Sequence, residues 1–265
     1  MSLKIALAQM ALVLGKPDQN FRKAEEWINK ASSSGADLIL LPELWASGFD
    51  LKNCQTYAAP LHDGDFARMK LLALEYKIMV GGSLIEQEDD NFYNTFVLYD
   101  KNGDVVNSYR KIHLFRMLKE EQYFKAGNQL KMSDTDLGKI GLATCYDLRF
   151  PIMFRAYGVK GVEIILIVGE WAQKRISHWS DLLRARAIEN QCFIAAVNKS
   201  GISQGEKLGG FSAVINPMGE YLTQGNDQEE LLFAEINIKE VSKTRRWMPV
   251  YEDRQPRVYN KFLNE

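Results

Sequence analysis

Cysteine is scarce in this chain. Its 265 residues include three cysteines, Cys54, Cys145 and Cys192, widely spaced and without a Cys-x-x-Cys pair, so no disulfide framework is encoded. Histidine is equally rare: His62, His113 and His178 stand too far apart to form a zinc-ligand spacing. There is no glycine-rich phosphate loop, and no metal or organic cofactor is expected. Long apolar runs are missing too. Stretches such as 164–168 fall far short of the roughly 18 residues that a membrane span needs. The N-terminal segment opens apolar but meets Gln9 early, with neither a basic leader nor a small-residue cleavage site, so it does not read as a secretory signal. Nor is there an excess of charge of one sign. Thirty-three basic residues against 34 acidic leave a net charge of -1, which removes the electrostatic basis for a nucleic-acid or anionic-membrane partner. From these absences a soluble, reduced, cytoplasmic chain is expected.

What remains is ordinary globular material, 46% hydrophobic and 25% charged, in a chain long enough to need no covalent staple. Strand-like runs at 3–8, 38–41, 78–85, 93–99 and 105–112 alternate with helical spacing at 21–31 and 65–76. Asn102-Gly103 marks a hairpin between the last two of these strands. The second half repeats the theme, with strands at 140–144, 162–168, 192–197, 210–216 and 231–236. A helical stretch lies between the first two, and a charged helix spans 177–189. This alternation predicts an α/β layered fold with mixed sheets. No Pro/Gly/Ser-rich linker divides the chain, so a single domain over 1–265 is expected.

Three positions carry candidate chemistry. Cys145 ends an apolar strand and is followed by a turn, where a sulfur can be exposed beside the next backbone N–H, the geometry of a nucleophile with an oxyanion donor. Glu43 follows four apolar residues and a proline, where desolvation makes a carboxylate a stronger base. Both sit at strand C-termini, where open α/β sheets bind ligands. Lys111 ends an alternating strand and could place an ammonium beside a developing oxyanion. Each has an ordinary alternative when read alone: a buried small hydrophobe, a solvated strand-end charge and an edge lysine.

Taken together, Leu-Pro-Glu-Leu-Trp (41–45), Tyr-Arg-Lys-Ile-His-Leu (109–114) and Thr-Cys-Tyr-Asp-Leu-Arg-Phe-Pro (144–151) resemble the nitrilase superfamily of carbon–nitrogen hydrolases. The likeness extends to His178-Trp179, Leu182–Asn190 in the helix that follows, Asn216-Pro217-Met218-Gly219, and Arg246, Pro249 and Arg254 near the end. It implies an α-β-β-α sandwich with mixed sheets that associates through a helical face into a homodimer or higher homo-oligomer. It also implies Glu43 as general base, Lys111 as electrostatic stabiliser and Cys145 as nucleophile. A second glutamate precedes an aromatic-x-x-Gly element in the family, which points to Glu120, with Glu121 as the alternative register.

Residues 116–128 and the cysteine motif look most like the omega-amidase branch, which deaminates short dicarboxylate monoamides such as 2-oxoglutaramate and 2-oxosuccinamate. Such a substrate needs a cation for its free carboxylate, and Arg149 is the best-placed guanidinium. A structural salt bridge is its alternative role. The Tyr146 N–H is the expected oxyanion donor, and Trp171 and Phe115, with Tyr123, are candidates to line the pocket. Many family members carry an acid where this chain has Ile152, a departure expected to alter local pairing or substrate-loop anchoring. N-carbamoyl amino acid hydrolysis and nitrile hydrolysis are rival activities. A catalytically silent binding subunit is a further alternative, because a fold alone does not establish an activity.

Overall fold

The computed structural model describes residues 2–263. In chain order the elements begin with β1 (Ser2–Gln9), α1 (Pro17–Ser33), β2 (Leu38–Leu40) and a one-turn α2 (Cys54–Tyr57), followed by α3 (Gly64–Tyr76), β3 (Met79–Glu88), β4 (Asn91–Tyr99) and β5 (Val105–Arg110). The chain continues through β6 (Met132–Thr135), β7 (Gly138–Thr144), α4 (Pro151–Val159), β8 (Ile164–Gly169), α5 (Ile176–Asn190) and β9 (Phe193–Asn198). A small hairpin, β10 (Ile202–Ser203) and β11 (Glu206–Lys207), precedes β12 (Ala213–Ile215), β13 (Tyr221–Gln224) and β14 (Glu230–Asn237). Then come α6 (Lys239–Trp247) and α7 (Pro256–Leu263).

The strands form two six-stranded sheets, ordered β14-β1-β2-β3-β4-β5 and β13-β12-β9-β8-β7-β6. Each has a parallel trio at its centre, β1–β2–β3 or β7–β8–β9, with antiparallel strands outside it. Both sheets are therefore mixed, and helices flank them. Strand periodicity sets the layering. Leu3, Ile5 and Leu7 of β1 join an apolar cluster shared with the second sheet, while Ala6 and Ala8 join the cluster beneath α1 and α3. Successive side chains of a strand point to opposite faces, so one strand serves both layers. α1 begins with Pro17 and buries Phe21, Ala24, Ile28 and Ala31 along one stripe, the spacing of an amphipathic helix. α4 and α5 cover the second sheet through Phe154, Tyr157, Trp179, Leu183 and Ala187. This is the expected α-β-β-α sandwich.

Several sequence expectations change at their edges. The strand expected to reach 112 ends at Arg110, although the Lys111 N–H still donates to the Asn94 carbonyl at 2.9 Å. The strand expected over 210–216 shortens to Ala213–Ile215, because Gly210 and Phe211 take φ values of 63° and 55°. β6, with the polar sequence Met-Ser-Asp-Thr, was not legible, since its strand character comes from pairing with β7. The Asn-Gly hairpin is present, and Asp100 Oδ1 organises it by accepting from the N–H groups of Asn102 and Asp104 at 2.8 and 2.9 Å. Among the described residues no helix is long and apolar enough to cross a membrane.

Candidate active site

Glu43 lies three residues beyond β2, in a segment held against β3. The Leu41 N–H donates to the Gly81 carbonyl at 2.7 Å, and the Leu44 N–H donates to Ser83 Oγ at 2.8 Å. Leu44 has a φ of 43°, a conformation that costs a residue with a Cβ about 1–3 kcal/mol. Trp45, fully buried, locks the segment in place. Its indole packs so closely on the β3 backbone that a Cβ added at Gly82 would lie 2.8 Å from it. A glycine is required there by space.

Cys145 follows β7 directly and opens a 3₁₀ turn that runs to Arg149. Its φ of 46° marks a strained strand-to-turn elbow, which aims the sulfur out of the sheet. Lys111 comes from just past β5 and Glu120 from a short 3₁₀ turn, Glu120–Gln122.

These four residues, apart in sequence, form one buried cluster. Lys111 Nζ donates to Glu43 Oε1 and to Glu120 Oε1, both at 2.8 Å, and all three side chains have no solvent exposure. Asn94 Nδ2 also donates to Glu43 Oε1 at 2.8 Å, and the Glu170 N–H donates to Glu43 Oε2 at 3.0 Å. Glu120 Oε2 accepts from the Phe115 N–H at 2.6 Å. Cys145 Sγ faces the Glu170 carbonyl at 3.8 Å. The Glu170 backbone thus touches both Glu43 and Cys145, while its side chain pairs with the buried Lys199 ammonium.

The electrostatics follow from this packing. Burial would lower the Lys111 pKa, but the charges of Glu120 and Glu43 outweigh it and hold the ammonium well above its usual range. Burial, with the nearby charge of Glu43, pushes the Glu120 carboxyl up to about 7 despite the opposing pull of Lys111. The Cys145 thiol is pushed well above its usual range by burial and then by Glu43, with Lys111 opposing. It rests protonated, so its nucleophilic form requires an adjacent base.

The cluster opens into a small pocket whose lining includes Lys111, Glu120, Cys145 and Glu170. Phe115, Tyr146, Arg149 and Trp171, the four residues expected to meet substrate, line it as well. The Arg149 guanidinium lies 4.7 Å from the Trp171 ring centre, and its side-chain partner is His178 Nδ1 at 3.2 Å. The salt bridge offered as its alternative role does not form among the described residues. Tyr123 is outside this pocket, in an apolar cluster with Phe49 and Phe124. Glu121 is exposed and has no place in the Lys111 cluster, so Glu120 is the register that the fold selects. Ile152 is 66% exposed on α4. It is outside the lining of this pocket.

The sequence reading missed Phe49, Leu118, Glu170 and Arg175 in the lining, and Asn94 and Lys199 behind it. Arg175 is the most consequential. Its guanidinium lies 5.4 Å from the Phe115 ring centre, without a carboxylate partner among the described residues. Its one visible signal was its place four residues after Trp171, on the same strand-end loop. Among the described residues no group of three or more His, Cys, Asp or Glu side chains is arranged to hold a metal ion.

A lysine bridging two buried carboxylates beside a cysteine elbow, set on a four-layer sandwich, defines a class. The carbon–nitrogen hydrolase family profile matches residues 4–246, and the chain belongs to this family, within the nitrilase superfamily. Among curated relatives, a 2-oxoglutaramate amidase of Bacillus subtilis (strain 168) is 37% identical, covering 98% of this chain and all of that protein. Among solved structures, a CN-hydrolase superfamily protein of Xanthomonas campestris with an arsenic adduct in its active site superposes with a TM-score of 0.90 at 28% identity. That match covers 96% of this chain and 98% of the other. An amidase of Nesterenkonia sp. AN1, solved as a variant after Michael addition of acrylamide at its active-site cysteine, gives a TM-score of 0.86 at 26% identity, over 98% and 99% of the two chains.

Proposed function

We propose that this protein is an omega-amidase-like hydrolase, releasing ammonia from a short dicarboxylate monoamide such as 2-oxoglutaramate or 2-oxosuccinamate through a Cys145 thioester. One observation carries the choice of substrate. Two guanidiniums, Arg149 and Arg175, line the small pocket that holds Cys145, and neither is paired with a carboxylate among the described residues. A substrate carboxylate satisfies them, in the charge-assisted geometry for which arginine is suited. Phe115 and Trp171 support the two arginines from their ring faces. The 2-oxoglutaramate amidase among the relatives agrees with this reading.

In the proposed reaction the Cys145 thiol attacks the amide carbonyl while Glu43 takes its proton. Lys111 and the Tyr146 N–H stabilise the tetrahedral oxyanion, and an oxyanion donor of this type contributes about 3–4 kcal/mol of barrier reduction. Glu43 returns the proton to the leaving nitrogen, and ammonia departs. Water, deprotonated by the same carboxylate, then cleaves the thioester to the acid and regenerates the thiol. Glu120 is a second carboxylate that holds the Lys111 ammonium in place. The chemistry requires no cofactor.

The protein is proposed to act in the cytoplasm, where its three buried, unpaired cysteines stay reduced. It is proposed to form a homodimer or higher homo-oligomer through the face of α4 and α5, which exposes Ile152, Val159 and Ile188. The deciding experiment is ammonia release across 2-oxoglutaramate, 2-oxosuccinamate, glutamine, asparagine, N-carbamoyl amino acids and simple nitriles. The two 2-oxo acid amides are expected to be turned over best. Turnover of a carbamoyl compound with none of any monoamide transfers the assignment to N-carbamoyl amino acid hydrolysis, and no turnover at all to a silent binding subunit.

A further inference from the structure

Two residues past Cys145, Asp147 is completely buried yet makes no contact with the pocket. Its two oxygens receive four donors. Oδ2 accepts from the Tyr109 hydroxyl at 2.7 Å and from the Thr144 N–H at 2.9 Å. Oδ1 accepts from the His113 N–H at 3.1 Å and from His113 Nδ1 at 2.7 Å. An ionised carboxylate offers about four lone-pair sites, so all are taken and none is left for a substrate. Because an ionised Asp147 can only accept, it places the His113 proton on Nδ1.

The identity of the donors gives this arrangement its meaning. Tyr109 and His113 stand two residues before and two residues after Lys111. Thr144 stands one residue before Cys145, and Asp147 itself two residues after it. The Tyr109 hydroxyl also accepts from the Ile112 N–H at 3.2 Å, which ties the backbone next to Lys111 into the same knot. His113 is held from its other side by the Phe150 ring, stacked at 3.6 Å between centroids. Lys111 follows the edge strand β5 of one sheet, and Cys145 follows β7 of the other. The carboxylate is therefore a direct polar tie between the two sheets at the level of the reacting groups.

We infer that Asp147 is a positioning residue that sets the Lys111 ammonium in register with the Cys145 sulfur by clamping the backbone on both sides of each. The inference rests on the proposed roles of Lys111 and Cys145. Apolar packing between sheets tolerates sliding of a few tenths of an ångström, whereas short charge-assisted hydrogen bonds from both layers to one carboxylate do not. Misplacing a reacting group by about 1 Å costs on the order of 100-fold in rate.

The test compares Asp147→Asn with Tyr109→Phe, which removes a single hydroxyl and keeps the ring. Turnover of 2-oxoglutaramate and the rate of Cys145 alkylation by iodoacetamide are both followed against pH, at a temperature where circular dichroism reports each variant folded. Asp147→Asn is expected to lower kcat about 100-fold with KM unchanged, since the pocket arginines are untouched. Tyr109→Phe is expected to lower kcat about 10-fold. In both variants the midpoint of Cys145 alkylation moves to higher pH, because the ammonium no longer sits squarely beside the sulfur. If Asp147→Asn does not fold, the kcat and alkylation midpoint of Tyr109→Phe decide alone. Folded variants whose kcat and alkylation profile equal those of the parent overturn the inference. A parent without amide turnover overturns the proposed function instead, and the alkylation profiles still judge the positioning role.

Discussion

Lys111 Nζ and Glu43 Oε1 lie 2.8 Å apart although 68 residues separate them in sequence, and the contact is entirely closed to solvent. A buried pair of this kind is costly to break from one side, since the surviving charge is left without water or partner. Here the lysine serves two carboxylates, so its removal strands both.

Replacing Lys111 by Met is therefore expected to be the most damaging change at the site. The loss of stability is expected to be about 3–5 kcal/mol and the loss of kcat at least about 100-fold. Chemical denaturation and steady-state ammonia release measure the two effects. Parent-like stability in the variant would show that Glu43 and Glu120 do not depend on this ammonium.

Cys145→Ala is expected to abolish amide turnover while the protein remains folded, because the side chain removed is small and borders a pocket. Intact-mass spectrometry after brief iodoacetamide treatment is expected to find a single adduct on the parent and none on the variant. Cys192 is fully buried, and its burial raises the thiol to about 12. An adduct that persists in Cys145→Ala would assign the reactive thiol elsewhere.

Glu120 links stability to pH. Its carboxyl is raised by burial from 4.5 to about 7, so between these values the folded chain keeps a proton that the unfolded chain releases. Its contribution to stability is complete below about pH 4.5, declines as pH rises, and is gone above about pH 7. Glu120→Gln carries no such proton. The Tm of this variant minus that of the parent is expected to rise from pH 4.5 to 7 and then level off. A flat difference across that window would place the titration elsewhere.

The arginines make a prediction about specificity. Arg149→Met and Arg175→Met are each expected to lower kcat/KM for 2-oxoglutaramate by about 10- to 100-fold, the value of a charge-assisted hydrogen bond. Turnover of an uncharged amide such as propionamide is expected to be unaffected. Equal losses on both substrates would mean that the arginines shape the pocket without gripping a carboxylate.

Gly82→Ala tests the support beneath Glu43. The added Cβ would stand 2.8 Å from the Trp45 indole, and overpacking of this kind costs about 1–3 kcal/mol. Thermal unfolding is expected to report that loss, together with reduced turnover as the Glu43 segment shifts. Unchanged stability would mean that Trp45 can move away freely.

Much of the site was legible before the fold. Glu43, Lys111 and Cys145 stand in short motifs whose order and separation are specific, and the apolar runs ahead of Glu43 and Cys145 placed both at strand ends. Glu120 was legible through the family's aromatic-x-x-Gly spacing, with Glu121 as the alternative register. The 3₁₀ turn buries Glu120 and leaves Glu121 in solvent. Arg175, Asn94 and Lys199 carried no comparable signal, because their importance comes from which side chains the packing brings near them. The Asp147 knot was similarly hidden: its letter was part of the cysteine motif, but its four donors come from two sheets.

The sequence by itself determined the α/β layering and the alternation of strands and helices, because periodicity is a local property. Its motifs, through their resemblance to a known family, pointed to Glu43, Lys111 and Cys145 as candidate reacting groups. Only the tertiary structure decided that Lys111 sits between two carboxylates, that Arg149 has no acidic partner among the described residues, and that a second arginine shares its pocket. Those facts depend on distances of 3–6 Å between segments tens of residues apart. They are set by how the two sheets pack face to face, which no local pattern encodes.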